Sequence, residues 1–227
     1  MDATTQEAIY ESLETLSNAD QYYRWLHSRV KSFIRGKVLE IGSGIGNFAQ
    51  WGKTSATEYH LSDADPRLVQ RLSTDFGNAF QWNLYEPFPG KDVYDTVVIL
   101  NVIEHLEDDM RAIQAIYERL VPGGNVIIMV PAMQFLYGSM DRAFGHFRRY
   151  TKKTLCELVQ RARFTVRKKE YVNVIGMLGW FVYGRILNRE NLPQQLCSRF
   201  NLVLPLLYLE GPIASLVGLS LILVAQK

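Results

Sequence analysis

A glycine-rich segment that directly follows a short apolar run is the feature of this sequence that most restricts its fold. Residues 38–41 read Val-Leu-Glu-Ile, and glycines follow at Gly42, Gly44 and Gly46. A glycine turn between a strand and a helix lets a ligand approach the backbone and lie against the helix N-terminus. The segment therefore predicts an α/β sheet with a ligand crevice beyond its first strand.

Short apolar runs alternate with helical stretches along most of the chain. This alternation predicts a parallel sheet with helices on both faces. We expect helices over 66–76, which opens on a proline, over 108–120, which stops before Pro122-Gly123-Gly124, and over 152–163. The predicted strands are 38–41, 59–61, 79–82, 96–100, 126–130, 165–171 and 220–225.

One domain over residues 1–227 is expected, since a chain with 48% hydrophobic residues can build a sizeable core. We predict a helical cap over 1–34, a ligand-binding core over 35–175, a hydrophobic helical insertion over 176–218 and a final strand over 219–227. The insertion is predicted because so long a connection between two strands usually carries structure or function.

Charge and cysteine usage narrow the classes of partner. With 25 Lys and Arg residues against 23 Asp and Glu residues, the net charge of +2 does not indicate a nucleic-acid surface. Cys156 and Cys197 are too far apart for a disulfide framework or a zinc-ligand spacing, so we predict no metal site and a reducing compartment. The polar N-terminus resembles no secretory signal. We expect a cytoplasmic protein that binds no nucleic acid.

The acidic residue Asp63 stands at the end of the second predicted strand. An acid at this place in a nucleoside-binding sheet accepts hydrogen bonds from ribose hydroxyls. The dinucleotide pattern would need its third glycine at position 47, which is Asn47, so the spacing disfavours a nicotinamide cofactor. The alternative is a purely structural role, in which the glycines only make a tight turn and Asp63 only caps the next helix.

The glycine segment and Asp63 together resemble the class I S-adenosylmethionine-dependent methyltransferases. The resemblance covers about residues 38–130. It implies a Rossmann-like, doubly wound sheet, mostly parallel with an antiparallel last strand. It also implies S-adenosylmethionine as methyl donor and S-adenosylhomocysteine as product. The residues implied to bind this cofactor are Glu40, Gly42, Ser43, Gly44, Gly46, Asp63, Ala64, Asn83, Leu84 and Asn101.

Two histidines are the candidate catalytic residues. His146 lies in Gly-His-Phe-Arg-Arg-Tyr-Thr, which resembles a subgroup of small bacterial-type members of the family, and it is the preferred general base. The alternative is that His146 and Arg149 brace this loop. His105 either takes part in catalysis, shapes the cofactor pocket or caps the next helix. Tyr137, Arg149 and Tyr150 are the predicted substrate-binding residues.

The predicted insertion is aliphatic and aromatic, and such a surface needs a partner. It packs on the sheet edge or across a homodimer, or it covers a lipid-linked acceptor or contacts a membrane peripherally. The function favoured is methyl transfer to oxygen or nitrogen of a small-molecule or lipid-linked acceptor. The alternatives are a non-catalytic cofactor-binding partner subunit and, less favoured, an NAD-dependent oxidoreductase.

Overall fold

A single mixed sheet organises the molecule. The computed structural model describes residues 20–189, 207, 210 and 216–227. Strands β1 to β7 are Lys37–Ile41, Glu58–Asp63, Ala79–Gln81, Tyr94–Leu100, Leu120–Pro131, Thr165–Val172 and Ser220–Gln226. They are ordered β3-β2-β1-β4-β5-β7-β6. Strands β1 to β5 pair in parallel, and β7 is antiparallel to both of its neighbours. The predicted Rossmann-like fold with an antiparallel last strand is confirmed.

Helices connect the strands. Helices α1 to α7 are Asp20–Val30, Ala49–Gly52, Pro66–Phe76, Asp109–Arg119, Ser139–Ala143, Lys152–Arg161 and Val174–Trp180, and a π-helix over Phe181–Ile186 continues α7. Side-chain caps start several of them: Asp65 accepts a hydrogen bond from the α3 backbone, Asp108 from α4 and Thr151 from α6. Such caps satisfy backbone N–H groups that a first helical turn leaves unpaired.

Both faces of the sheet are buried. Successive strand residues point to opposite faces, so Val97 joins the cluster under α4 and α6, whereas Val98 joins the cluster under α1. On the α1 side, Trp25 and Leu26 pack against β5 and β7. Burial on both faces explains why the central strands β4, β5 and β7 read as nearly continuous apolar runs, whereas the edge strand β6 alternates exposed and partly buried residues.

Strand β5 begins at Leu120, earlier than the predicted 126, and α4 ends at Arg119. Leu120 pairs with Tyr94, and the register then shifts before Thr96 pairs with Asn125. The Pro-Gly-Gly segment expected to be a turn therefore lies within an irregular stretch of the strand. Gly123 adopts a φ of 79°, which few other residues tolerate.

Two predicted segments are only partly described. The first of the two expected cap helices lies within residues 1–19, outside the described residues. Of the predicted insertion, helix α7 starts slightly early, at Val174, and most of the remainder lies outside them too. In the part of the chain that is described, no helix has the length and apolar character that crossing a membrane requires.

Candidate functional site

The glycine turn, residues 42–46, follows β1 at the carboxyl edge of the sheet. Its three glycines have φ values between 58° and 83°. A Cβ on Gly42 would lie 2.3 Å from Cγ2 of Val102, and a Cβ on Gly46 would lie 2.3 Å from the ring of Phe76. Both backbone conformation and space therefore require glycine at Gly42 and Gly46.

Asp63, at the end of β2, contacts this turn directly. Its Oδ2 accepts a hydrogen bond from the Gly44 N–H at 3.0 Å, and its Oδ1 accepts one from the Asp65 N–H at 3.0 Å. Burial raises the pKa of the Asp63 carboxyl. The cap of α3 is Asp65, which accepts from the Arg67 N–H, so the helix-cap alternative for Asp63 is wrong.

Glu40 is a buried acid at the base of the glycine turn. Its side chain is 3% exposed, and its Oε2 accepts a hydrogen bond from the Tyr59 hydroxyl at 2.6 Å. Burial raises the pKa of Glu40 to about 8, although the bond from Tyr59 opposes the rise. The Ser43 hydroxyl donates to the Glu40 carbonyl at 3.0 Å, which fixes the turn to the strand below it.

The end of β3 lies beside Asp63. The Ala64 carbonyl accepts a hydrogen bond from Gln81 Nε2 at 3.0 Å, so the β2 and β3 ends are linked. Oδ1 of Asn83 accepts from the Tyr85 N–H at 3.0 Å, and Leu84 is buried in the main core. The structure thus brings Ala64, Asn83 and Leu84 to the same edge as the glycine turn.

Asp141 organises the loop that carries His146. Its Oδ1 accepts hydrogen bonds from His146 Nδ1 at 2.9 Å and from Arg149 Nε at 2.7 Å. Its Oδ2 accepts from the Gly138 N–H at 3.0 Å and from Trp180 Nε1 at 3.2 Å. Burial alone would raise the pKa of Asp141, but the His146 hydrogen bond and the Arg149 charge outweigh it and lower that pKa.

The predicted substrate-binding residues belong to this same framework. The Tyr137 hydroxyl donates to the His146 carbonyl at 2.7 Å. The side chain of Arg149 is 1% exposed and pairs with Asp141, and the buried Tyr150 hydroxyl donates to Asp109 at 2.8 Å. The side chains of Arg149 and Tyr150 thus form hydrogen bonds inside the protein. The alternative in which His146 and Arg149 brace this loop fits the structure, because both side chains bond to Asp141.

Glu104, His105 and His146 form what we call the acid–histidine cluster. The two imidazole rings are T-shaped, with centroids 4.7 Å apart. Glu104 is fully buried, and its two carboxylate oxygens and the His105 Nδ1 are without a hydrogen-bond partner among the described residues. Burial raises the pKa of Glu104 to about 8 and, together with the nearby His146, lowers that of His105 to about 3. Helix α4 is capped by Asp108, so the helix-cap alternative for His105 is wrong.

The cluster adjoins the glycine turn through the end of β4. Asn101 adopts a φ of 54° and donates its N–H to the Met129 carbonyl at 2.8 Å. The next residue, Val102, packs beneath Gly42. Glu104 and His105 then form a short 3-10 turn over Ile103–His105. The glycine turn and the cluster are therefore two parts of one crevice at the carboxyl edge of the sheet.

Two residues of this region, Asp141 and Glu104, were not among the functional candidates predicted from the sequence. Asp141 lies five positions before His146, and Glu104 directly precedes His105. An acid close to a candidate histidine was the available signal in both cases. The sequence spacing does not show that Asp141 and Glu104 are buried. Burial is what distinguishes these two acids from the many exposed acids of the chain.

One protein family and several individual proteins are similar to this chain. The model of a family described as a methyltransferase domain matches residues 15–169. A nonribosomal peptide synthetase of Salinispora arenicola, CymA, is 34% identical in an alignment of 111 residues that covers 44% of this chain. The match spans 1% of that much longer protein.

Solved structures of the same fold include three methyltransferases. One from Mesorhizobium loti has a TM-score of 0.61 at 15% identity, covering 90% of this chain and 98% of that one. One from Archaeoglobus fulgidus has a TM-score of 0.60 at 16% identity, covering 90% and 94%. A phosphoethanolamine N-methyltransferase of Haemonchus contortus, bound to S-adenosyl-L-methionine, has a TM-score of 0.57 at 17% identity, covering 87% and 51%.

Replacing Asp141 by Asn is expected to destabilise the fold strongly. The amide keeps the shape but leaves the buried Arg149 without its counter-charge, and removing one partner of a buried pair costs roughly 3–5 kcal/mol. Urea unfolding followed by circular dichroism measures this loss. Asp75→Asn, which removes the exposed partner of Arg71, is the control and should change stability by less than about 0.5 kcal/mol. Equal effects of the two changes would contradict the assignment of Asp141 as the centre of the loop.

Proposed function

Since the chain belongs to the methyltransferase domain family and is an S-adenosylmethionine-dependent methyltransferase, we propose that it methylates an oxygen or nitrogen atom of an acceptor bound over the acid–histidine cluster. The observation that carries the proposal is the contact of Val102 with Gly42, which joins the glycine turn to that cluster. The family match also argues against the alternative of a nicotinamide-dependent oxidoreductase.

The cofactor is proposed to lie along the carboxyl ends of β1 to β4. Its methionine part contacts the glycine turn, including Ser43, above Glu40, and its adenine lies beside Ala64, Asn83 and Leu84. Asp63 receives the ribose hydroxyls, and Asn101 closes on the cofactor from the end of β4. Both oxygens of Asp63 already accept one backbone hydrogen bond each, but an ionised carboxylate offers about four lone-pair sites, so capacity remains for the ribose.

The acceptor is proposed to approach from the His146 side. Methyl transfer is an in-line displacement in which the protein mainly positions the two reactants. Because Asp141 accepts the hydrogen of His146 Nδ1, the lone pair of this imidazole is on Nε2, on the other side of the ring. His146 is thereby proposed as the catalytic residue that contacts the acceptor, with Asp141 as its positioning residue.

A hydrophobic acceptor is favoured by the surface next to this loop. The Ser139 hydroxyl donates to the Gly184 carbonyl at 3.1 Å, and Trp180 donates to Asp141, so α7 and its π-helical continuation are fixed to the His146 loop. Large apolar side chains are exposed along this helical segment: Leu178, Phe181, Val182, Ile186 and Leu187. An apolar tail on the acceptor could lie along this surface while its reactive head reaches the cluster.

Cofactor affinity is expected to depend on pH through Glu40. The free protein holds the pKa of Glu40 at about 8, so this carboxyl is mostly protonated at pH 6.5. A carboxylate attracts the ammonium group of the cofactor, so binding must remove the proton at low pH. Affinity for S-adenosylhomocysteine should therefore rise as pH increases from 6 to 8, by up to about tenfold per unit, and level off above 8.

Calorimetric titration of S-adenosylhomocysteine at several pH values measures this dependence. Glu40→Gln cannot ionise, so its affinity should be weaker at pH 8.5 and nearly independent of pH. An unchanged slope in Glu40→Gln would show that another group titrates.

Replacing His146 by Ala is expected to reduce methyl transfer while leaving cofactor binding intact. Loss of a positioned acid–base or acceptor-orienting imidazole typically costs 10²–10⁴-fold in turnover, so a fall of about that size is predicted. The assay uses cofactor with a ¹³C-labelled methyl group and a panel of hydroxyl and amine acceptors with and without alkyl tails, read by mass spectrometry. His60→Ala, which removes a histidine on β2, should retain full turnover. Full turnover in His146→Ala would remove His146 from catalysis.

A further inference from the structure

The acid–histidine cluster has the composition of a metal site. Glu104, His105 and His146 each offer one ligand atom, and these atoms all lie within 4.8 Å of one another. With metal–ligand bonds of about 2.0–2.2 Å, the ligand atoms of a tetrahedral site lie roughly 3.4 Å apart. The ligand atoms of the cluster would therefore have to close around a cation by at most about 1.4 Å between any two of them.

The unpaired atoms of the cluster point to the same conclusion. Both oxygens of Glu104 are buried without a hydrogen-bond partner in the described residues, and so is Nδ1 of His105. Buried polar atoms are nearly always paired, and an unpaired buried carboxylate is costly. A divalent cation would satisfy all three atoms at once, whereas each is unpaired among the residues that the structure describes.

The surroundings of the cluster also resemble those of a metal site. A metal-bound histidine usually donates its second ring N–H to a carboxylate or a backbone carbonyl, which fixes the ring. His146 donates Nδ1–H to Asp141 at 2.9 Å. The Phe147 N–H in turn donates to the Glu104 carbonyl at 2.8 Å, so the two segments that supply the ligands are tied together.

We propose that Glu104, His105 and His146 bind one divalent transition-metal cation. Two imidazoles and one carboxylate favour ions such as Zn²⁺ and Ni²⁺ over Ca²⁺ and Mg²⁺, which prefer oxygen ligands. Three protein ligands leave coordination positions open for another molecule.

We place the proposed acceptor at these open positions, so this inference rests on the proposed function. A hydroxyl oxygen bound to the cation loses its proton more readily, and that proton leaves to solvent. The oxygen then forms a bond to the methyl carbon, and the carbon–sulfur bond breaks with its electron pair remaining on sulfur. In this arrangement His146 Nε2 holds the cation instead of taking the proton itself, which replaces the sequence-based prediction of a general base.

Metal binding to the whole chain is the test. After dialysis against chelator and then buffer, Zn²⁺ and Ni²⁺ are added separately, and bound metal is measured by equilibrium dialysis with elemental analysis. We expect one high-affinity ion per chain, and at least tenfold weaker binding in Glu104→Gln and in His105→Asn. Glu58→Gln removes the carboxylate of an exposed pair with His60 and is the matched control, which should bind metal like the wild type.

Thermal unfolding gives a second readout that does not need the acceptor. A ligand that binds only the folded state raises the melting temperature. The metal should therefore raise the melting temperature of the wild type and of Glu58→Gln but not that of Glu104→Gln. Absence of stoichiometric binding, or equal binding by Glu104→Gln and the wild type, would overturn the proposal.

The two proposals fail in distinguishable ways. If the metal-free protein binds S-adenosylhomocysteine and methylates its acceptor at the full rate, the catalytic role given to the metal is wrong and the proposed function stands. If the protein binds one metal ion but neither S-adenosylhomocysteine nor any acceptor in the panel, the metal site stands alone and the proposed function is wrong.

Discussion

The hydrogen bonding of the buried Asp141 carboxylate is the interaction on which the proposed acceptor side of this protein depends. This carboxylate receives hydrogen bonds from His146, Arg149, Gly138 and Trp180, so one charge orients the candidate catalytic imidazole and attaches its loop to α7. The lowered pKa of Asp141 keeps that charge in place at physiological pH. An ionised acid without these donors would be too costly to bury.

The cofactor side is organised by backbone geometry rather than by charge pairing. Asp63 closes the glycine turn by accepting the Gly44 N–H, and Gly42 leaves room for Val102. The two sides meet because β1 and β4 are adjacent and parallel, so their carboxyl ends lie at the same edge. This is the place where open α/β sheets bind their ligands.

Sequence patterns were sufficient to predict the fold and to place the glycine turn and Asp63 at one edge of the sheet. Local signals made these predictions possible: glycines after an apolar run, an acid at the next strand end, and periodic helices with caps such as Asp65 and Thr151. They misplaced the start of β5, because the pairing of Leu120 with Tyr94 is a tertiary contact that overrides the turn tendency of Pro-Gly-Gly.

The proposed acceptor half was harder to predict for a similar reason. Glu104 and His146 are distant in sequence, and only the folded chain shows that they meet and that Glu104 is buried with no hydrogen-bond partner in the described part of the chain. Arg149 was predicted as a substrate-binding residue, and a sequence does not reveal that a buried Asp141 is its partner. Short-range spacing thus identifies ligand turns far better than it identifies long-range side-chain clusters.

A crystal structure of the chain with bound S-adenosylhomocysteine tests the central claim most directly, through the position of the ligand's sulfur atom. The account predicts that the ribose hydroxyls contact Asp63 and that the sulfur lies above the glycine turn and faces the acid–histidine cluster. A sulfur atom directed away from His105 and His146, or a ligand bound at another edge of the sheet, would contradict it.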